Sequence, residues 1–311
     1  MSERMKILVT GCKGQLGTEI QKQLRRGTSE IGAIPDCYRN AEVTAIDLDT
    51  LDLSDLKAVK AYAENLKPDL IINCAAFTNV DGCETSHDTA FAANALGPRN
   101  LAIAAEETGA KLIHISTDYV FDGKDNGQVP RDEADLPHPI SAYGSTKLAG
   151  EEYVKAFSRH YFILRTAWLY SYYGKNFVKT IVNAGKKRGS LTVVNDQCGN
   201  PTNAVDLAHT ALQLGATEEY GVYHCTGEGI CSWYDFACAI IEEAGVNANV
   251  SPCTSAEYKA ANPASADRPA WSALDNRMLR CTIGNPMREW RAALHAFFAN
   301  WDGDNGMKQD H

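Results

Sequence analysis

The sequence predicts an α/β fold: a doubly wound parallel sheet with a smaller C-terminal domain. Three observations carry this. Short apolar runs alternate with amphipathic stretches through the first half of the chain, the rhythm of strands and crossover helices. The runs are continuous rather than alternating, as strands covered on both faces require. A glycine-rich turn, TGCKGQLG (10–17), joins the first run to the first amphipathic stretch.

In order, KILVT (6–10) reads as a strand and GQLGTEIQKQLRR (14–26) as a helix. GTSEIGAIPDCYRN (27–40) reads as an inserted loop. EVTAI (42–46) is a strand and SDLKAVKAYAENL (54–66) a helix with Ser54 as N-cap. DLIIN (69–73) is a strand, and residues 87–107 form one long helix. KLIHIS (111–116) is a strand, and a helix containing SAYGSTKLAGE (141–151) follows Pro137 and Pro139. YFILRT (161–166) closes the regular part. Beyond it LTVVND (191–196) and GVYHC (221–225) suit strands, and 232–245 and 286–298 suit helices. The Pro-, Ala- and Ser-rich stretch 251–276 reads as loop, and the last ten or so residues as frayed. The division expected is a dinucleotide-binding, Rossmann-type domain over 1–165. A mainly substrate-binding domain follows over 166–311, with some segments returning to the first.

The chain has 311 residues, with 44% hydrophobic and 22% charged, an ordinary globular balance. A net charge of −9 argues against a nucleic-acid footprint. Ten cysteines include no CxxC pair, so reduced, buried thiols are expected rather than a zinc ribbon. The eight histidines show no ligand spacing. No signal peptide or long apolar span is read, and a cytoplasmic protein without membrane or nucleic-acid partners is expected.

Gly11, Gly14 and Gly17 stand between strand and helix, where glycine lets backbone approach a pyrophosphate seated on the helix N-terminus. Dinucleotide binding is expected there. An acid ending the second strand commonly holds the adenosine ribose. Asp47 is the candidate, although it lies thirty residues after Gly17, and its alternative is a solvated loop acid. An aspartate there favours NADH, because it repels a 2′-phosphate; the spacing leaves NADPH or NADH open.

Tyr143 and Lys147 are four apart on a helix and share a face. A phenol exchanges protons poorly near neutrality unless a cation lowers its pKa. With Lys147 beside it, Tyr143 becomes a usable general acid. Ser116 and Thr117 end the fourth strand, and Thr117 is the hydroxyl expected to meet a developing oxyanion. A surface Tyr and Lys is the alternative.

The order GxxGxxG, NCAA (73–76), STD, YxxxK resembles the extended short-chain dehydrogenase/reductase superfamily. GQLG, NCAAFTNVDGCE, STDYVFDG, AYGSTKLAGE, RTAWLY, NFVKT, DQCGNPT and DRP together resemble the dTDP-4-dehydrorhamnose reductases over nearly the whole chain. The resemblance implies reduction of the C4 ketone of dTDP-4-dehydro-L-rhamnose by NADPH or NADH, supplying dTDP-L-rhamnose for polysaccharide. It implies Thr117, Tyr143 and Lys147 as the catalytic set. Gly14, Gln15 and Leu16 would lie along the cofactor phosphates, Asp52 and Leu53 beside adenine, and Cys74, Ala75 and Ala76 along the cofactor. Thr117 and Asp118 would touch the sugar and Trp168 pack on it. Arg268 would meet the diphosphate. Trp168 is otherwise a core aromatic and Arg268 a solvated loop charge. Lys13, where relatives carry Asn, either adds charge near the phosphates or points outward. Glu19 matches one family position for an interface magnesium, and no metal is assigned. A homodimer is compatible with the resemblance, while the sequence leaves the oligomeric state open.

Two rivals stand beside this reading. A nucleotide-sugar dehydratase or epimerase needs a further acid/base pair, typically Asp-Glu after the strand's Thr; here Asp118 is followed by Tyr119. A regulatory subunit that binds dinucleotide without turnover is the other. No GxSxG elbow supports a serine hydrolase.

Overall fold

The structure is a computed structural model that describes residues 4–124 and 128–303. Six parallel strands form the main sheet in the spatial order Gly221–His224, Tyr161–Thr166, Lys111–Thr117, Leu70–Asn73, Lys6–Thr10, Glu42–Ile46. The order reverses between Lys6–Thr10 and Leu70–Asn73, the switch point where such sheets bind ligands. Leu70–Asn73 is buried throughout, which explains why its apolar run is unbroken.

Helices cover both faces. Ile20, Leu24, Leu207 and Ala211 pack on one side with Ile7, Val9 and Ile72. On the other, Val59, Leu101, Ala105 and Val154 pack with Leu8, Ile71 and Ile163. A third core, built by Tyr170, Val182, Phe236, Ile240 and Phe297, lies wholly beyond residue 166. There Asn249–Cys253 pairs in parallel with Ser190–Val194.

Several expectations need correction. Asp55, not Ser54, caps the Leu56–Leu66 helix by accepting from the Ala58 N–H; Ser54 instead donates to Asp52 at 2.7 Å. The 27–40 stretch is not a plain loop. It forms a Thr28–Ser29/Gly32–Ala33 hairpin and a short turn, and Tyr38 is buried with its hydroxyl donating to the Leu212 carbonyl. Within 251–276, Ser255–Ala261 is a helix whose Thr254 and Glu257 form a capping box. Residues 87–107 are not one regular helix, because a π-helical turn, Ala92–Leu96, separates His87–Phe91 from Gly97–Thr108. Pro98 has no N–H to return to the Asn94 carbonyl, and Gly150 of a neighbouring helix packs against that carbonyl. All ten cysteines are free, but of these Cys83, Cys225 and Cys231 are buried, while Cys37 and Cys281 are exposed and the others half-buried. The frayed end expected falls mostly outside the described residues. Among these, no helix is long and apolar enough to cross a membrane.

Candidate active site

The glycine turn meets the sheet at its switch point. Gly11 has φ +64°, and a Cβ there would stand 2.6 Å from the Ala75 nitrogen. A Cβ on Gly17 would collide with the Gly11 carbonyl. The following helix, Gln15–Arg26, begins at Gly14 with no side-chain cap, so its first N–H groups remain available to an anion. Leu16 turns its side chain into the core and offers only backbone. Gln15 accepts from Asn176 at 3.2 Å.

A cleft of about 850 Å³ opens here, lined by Gly11, Lys13 and Gly14 on one wall, Asp47, Asp52 and Leu53 on another, and Cys74, Ala75 and Ala76 on a third. The cradle and the uncapped helix fit a dinucleotide. Asp47 accepts from the Lys13 and Leu48 N–H groups, so its carboxylate is engaged by the chain's own backbone. Lys13 reaches sideways to Asp49 at 2.5 Å.

The Ala142–Phe157 helix carries Tyr143 and Lys147. Ser141 caps it by accepting from Gly144, and Glu84 accepts from the Ala142 N–H. Gly144 lets the Tyr119 carbonyl come against the helix where a Cβ would clash. The Tyr143 ring meets Tyr119 edge-on at 5.4 Å, and the Thr117 hydroxyl acts on its phenol. Thr117 also donates to Asp118 at 2.9 Å.

Burial dominates the electrostatics of both Tyr143 and Lys147. It holds the phenol well above its ordinary value, the Thr117 hydroxyl opposes this, and the Asp118 charge adds to it. The Lys147 ammonium donates to the Ile115 carbonyl at 2.6 Å. Burial lowers its pKa to about 8, against the pull of Glu151. Burial raises Asp118 to about 6, with the nearby Ser272 and Thr117 hydroxyls opposing. Cys74 is pushed up to about 12, chiefly by burial, and is a neutral wall residue.

Trp168 and Arg268 are associated with a second cavity, and Arg268 also acts on Tyr119, the ring beside Tyr143. Trp168 has φ +49° and stacks on Trp233 at 3.6 Å. Trp233 lines a second cavity of about 450 Å³ with Phe177, Gln197, Tyr258, Lys259 and Arg268. Arg268 pairs with Asp81 at 3.5 Å.

Sequence reasoning missed three residues. Asn94, in the π turn, accepts from the Phe77 N–H at 2.8 Å and donates to Thr146 at 3.2 Å, tying the cleft loop to the Tyr143 helix; Pro98 inside a helical stretch was its signal. Trp233 gave no signal in its own motif. Glu151 stood in AYGSTKLAGE, but its partner Arg165 is fourteen residues away.

A dinucleotide cradle beside a strand-end threonine and a helical Tyr–Lys pair defines a short-chain dehydrogenase/reductase architecture. The family model described as the RmlD substrate binding domain matches residues 5–302. A dTDP-4-dehydrorhamnose reductase of Aggregatibacter actinomycetemcomitans is 40% identical over 298 residues, covering 93% of this chain and 97% of that protein. Among solved structures, a dTDP-4-dehydrorhamnose reductase of Clostridium acetobutylicum is 48% identical with a TM-score of 0.87, covering 94% of this chain and 98% of that one. Another from Bacillus anthracis, solved in complex with NADP, is 39% identical with a TM-score of 0.87, covering 96% and 99%. The chain belongs to the dTDP-4-dehydrorhamnose reductase family.

Proposed function

We propose that this protein is an oxidoreductase that reduces the C4 ketone of dTDP-4-dehydro-L-rhamnose to dTDP-L-rhamnose with NADPH or NADH, a step toward surface polysaccharide. What supports the reading is the Thr117 hydroxyl acting on the Tyr143 phenol and, one turn along the same helix, Lys147 interacting with Cys74 in the wall of the glycine-cradle cleft. The nicotinamide, when bound, supplies hydride to C4. Tyr143 gives its proton to O4. Thr117 donates a hydrogen bond as charge develops on that oxygen. Lys147 supplies the nearby positive charge. The buried Asp118 Oδ2, which has no hydrogen-bond partner, is an acceptor for a sugar hydroxyl.

The phosphates rest on Gly11, Gly14, Gln15, Leu16 and Gly17, with Asp47, Asp52 and Leu53 on the adenosine side and Cys74, Ala75 and Ala76 behind. Trp168 packs on the sugar. Arg268 at the second cavity meets the diphosphate. A cofactor domain over 1–165, a mainly substrate-binding domain over 166–311, a homodimer and a cytoplasmic location complete the reading; light scattering tests the dimer.

The test of the reaction is absorbance loss from NADPH and from NADH, run separately with purified protein and dTDP-4-dehydro-L-rhamnose. Oxidation with formation of dTDP-L-rhamnose supports the reading. Protein that binds a cofactor yet oxidises neither overturns it.

A further inference from the structure

We propose that Glu151 is a positioning residue for this reaction: its buried carboxylate, clamped by Arg165 and Ser116 one turn beyond Lys147, holds the Lys147 ammonium charged and in place. The inference rests on the reductase reading above.

Tyr143, Lys147 and Glu151 follow one another at intervals of four and form a single stripe of the helix. Lys147 is 2% exposed and Glu151 0%. The carboxylate accepts from Arg165 Nε at 3.0 and 3.2 Å, from Arg165 Nη2 at 2.7 Å, and from Ser116 Oγ at 2.5 Å. Ser116 lies directly opposite Arg165 in the sheet, and the next pair in register is Thr117 with Thr166. The clamp therefore fastens the helix to the two strands that end at the site.

Lys147 needs such help. Its hydrogen bond goes to a neutral acceptor, the Ile115 carbonyl, and burial disfavours its charge. The groups facing it supply little else. Cys74 and Tyr143 are held neutral by burial. His114 is also kept neutral, by burial first and by the Lys147 charge second. Arg165 is spent on Glu151. Among the described residues facing Lys147, Glu151 is the anion that opposes its loss of a proton.

The test compares pH profiles of kcat at saturating NADPH and dTDP-4-dehydro-L-rhamnose for wild type, Glu151→Gln and Glu151→Asp. It is joined by NMR titration of the Lys147 Nζ in lysine-labelled protein. In Glu151→Gln the alkaline limb and the Lys147 titration both move down by about one pH unit, so kcat at the wild-type midpoint falls about tenfold relative to its acid-side plateau. Glu151→Asp keeps the charge and holds the limb near wild type. Glu151→Gln leaves Arg165 buried without its partner; if it does not fold, Glu151→Gln/Arg165→Met carries the same test. A fall in Tm with the limb and the Lys147 titration unmoved shows a merely structural role and overturns the proposal. Wild-type protein that turns over no sugar overturns the reductase reading alone, because the Lys147 titration is read without substrate.

Discussion

The Thr117 hydroxyl donates to the Asp118 carboxylate at 2.9 Å, although the two residues are neighbours in the chain. A hydroxyl has one proton to give. An ionised Asp118 therefore draws from Thr117 the same hydrogen that the reacting oxygen needs.

Asp118→Asn separates stability from activity. Burial raises the Asp118 carboxyl from 3.8 to about 6, so between those values the native state binds more protons than the unfolded state. Stability then falls as pH rises through this window, and the full cost, about 3 kcal/mol, applies above it. The variant is expected to be more stable than wild type well above pH 6, by about 1–3 kcal/mol, and to lose that advantage below the window. Its kcat is expected to fall, because Asp118 is the acceptor proposed above for a sugar hydroxyl. Denaturant melts at acid and mildly alkaline pH check this; a variant less stable at alkaline pH would refute it.

Tyr143→Phe keeps the edge contact with Tyr119 and deletes only the proton donor. A loss of kcat of about 10²–10⁴ is expected, with NADPH affinity within about twofold of wild type, the scatter such comparisons carry. Steady-state kinetics beside a fluorescence titration measures both. Retention of most of the wild-type kcat removes Tyr143 from its role.

Gly17→Ala places a methyl against the Gly11 carbonyl. The glycine turn must open to accept it, and NADPH binding is expected to weaken by at least about tenfold, the cost of a misplaced phosphate contact. Circular dichroism establishes folding and fluorescence titration reads the affinity. Wild-type affinity in a folded variant would show that the turn is not the phosphate cradle.

Trp233→Ala withdraws the stacked ring under Trp168, whose left-handed backbone needs support from its surroundings. The KM for the nucleotide sugar should rise by about tenfold, in the range of a lost aromatic contact, while NADPH affinity stays put. A parallel loss of NADPH affinity would mean that the change spreads beyond the second cavity.

The sheet was legible because buried parallel strands leave unbroken apolar runs. The strands at 42–46 and 161–166 fall where the sequence places them. The π turn was not legible, since its cause is one proline's missing donor and a glycine more than fifty residues away. The Ser255–Ala261 helix was missed although Thr254 and Glu257 have capping-box spacing, because the Pro-, Ala- and Ser-rich surroundings outweighed it. The Tyr143–Lys147 pair is legible from spacing alone. The electrostatics is not: Lys147 donates to the Ile115 carbonyl and takes its counter-charge through Glu151, and both depend on how a strand approaches the helix.

The edge strand Gly221–His224 completes the sheet by pairing with Tyr161–Thr166, yet it is made roughly 60 residues later. At a synthesis rate of about 5–20 residues per second, the nascent chain carries an open sheet edge for several seconds. During that interval Tyr161–Thr166 is a template for any passing strand. Yield from the ribosome, more than the finished protein's stability, is where substitutions along Gly221–His224 will be felt first.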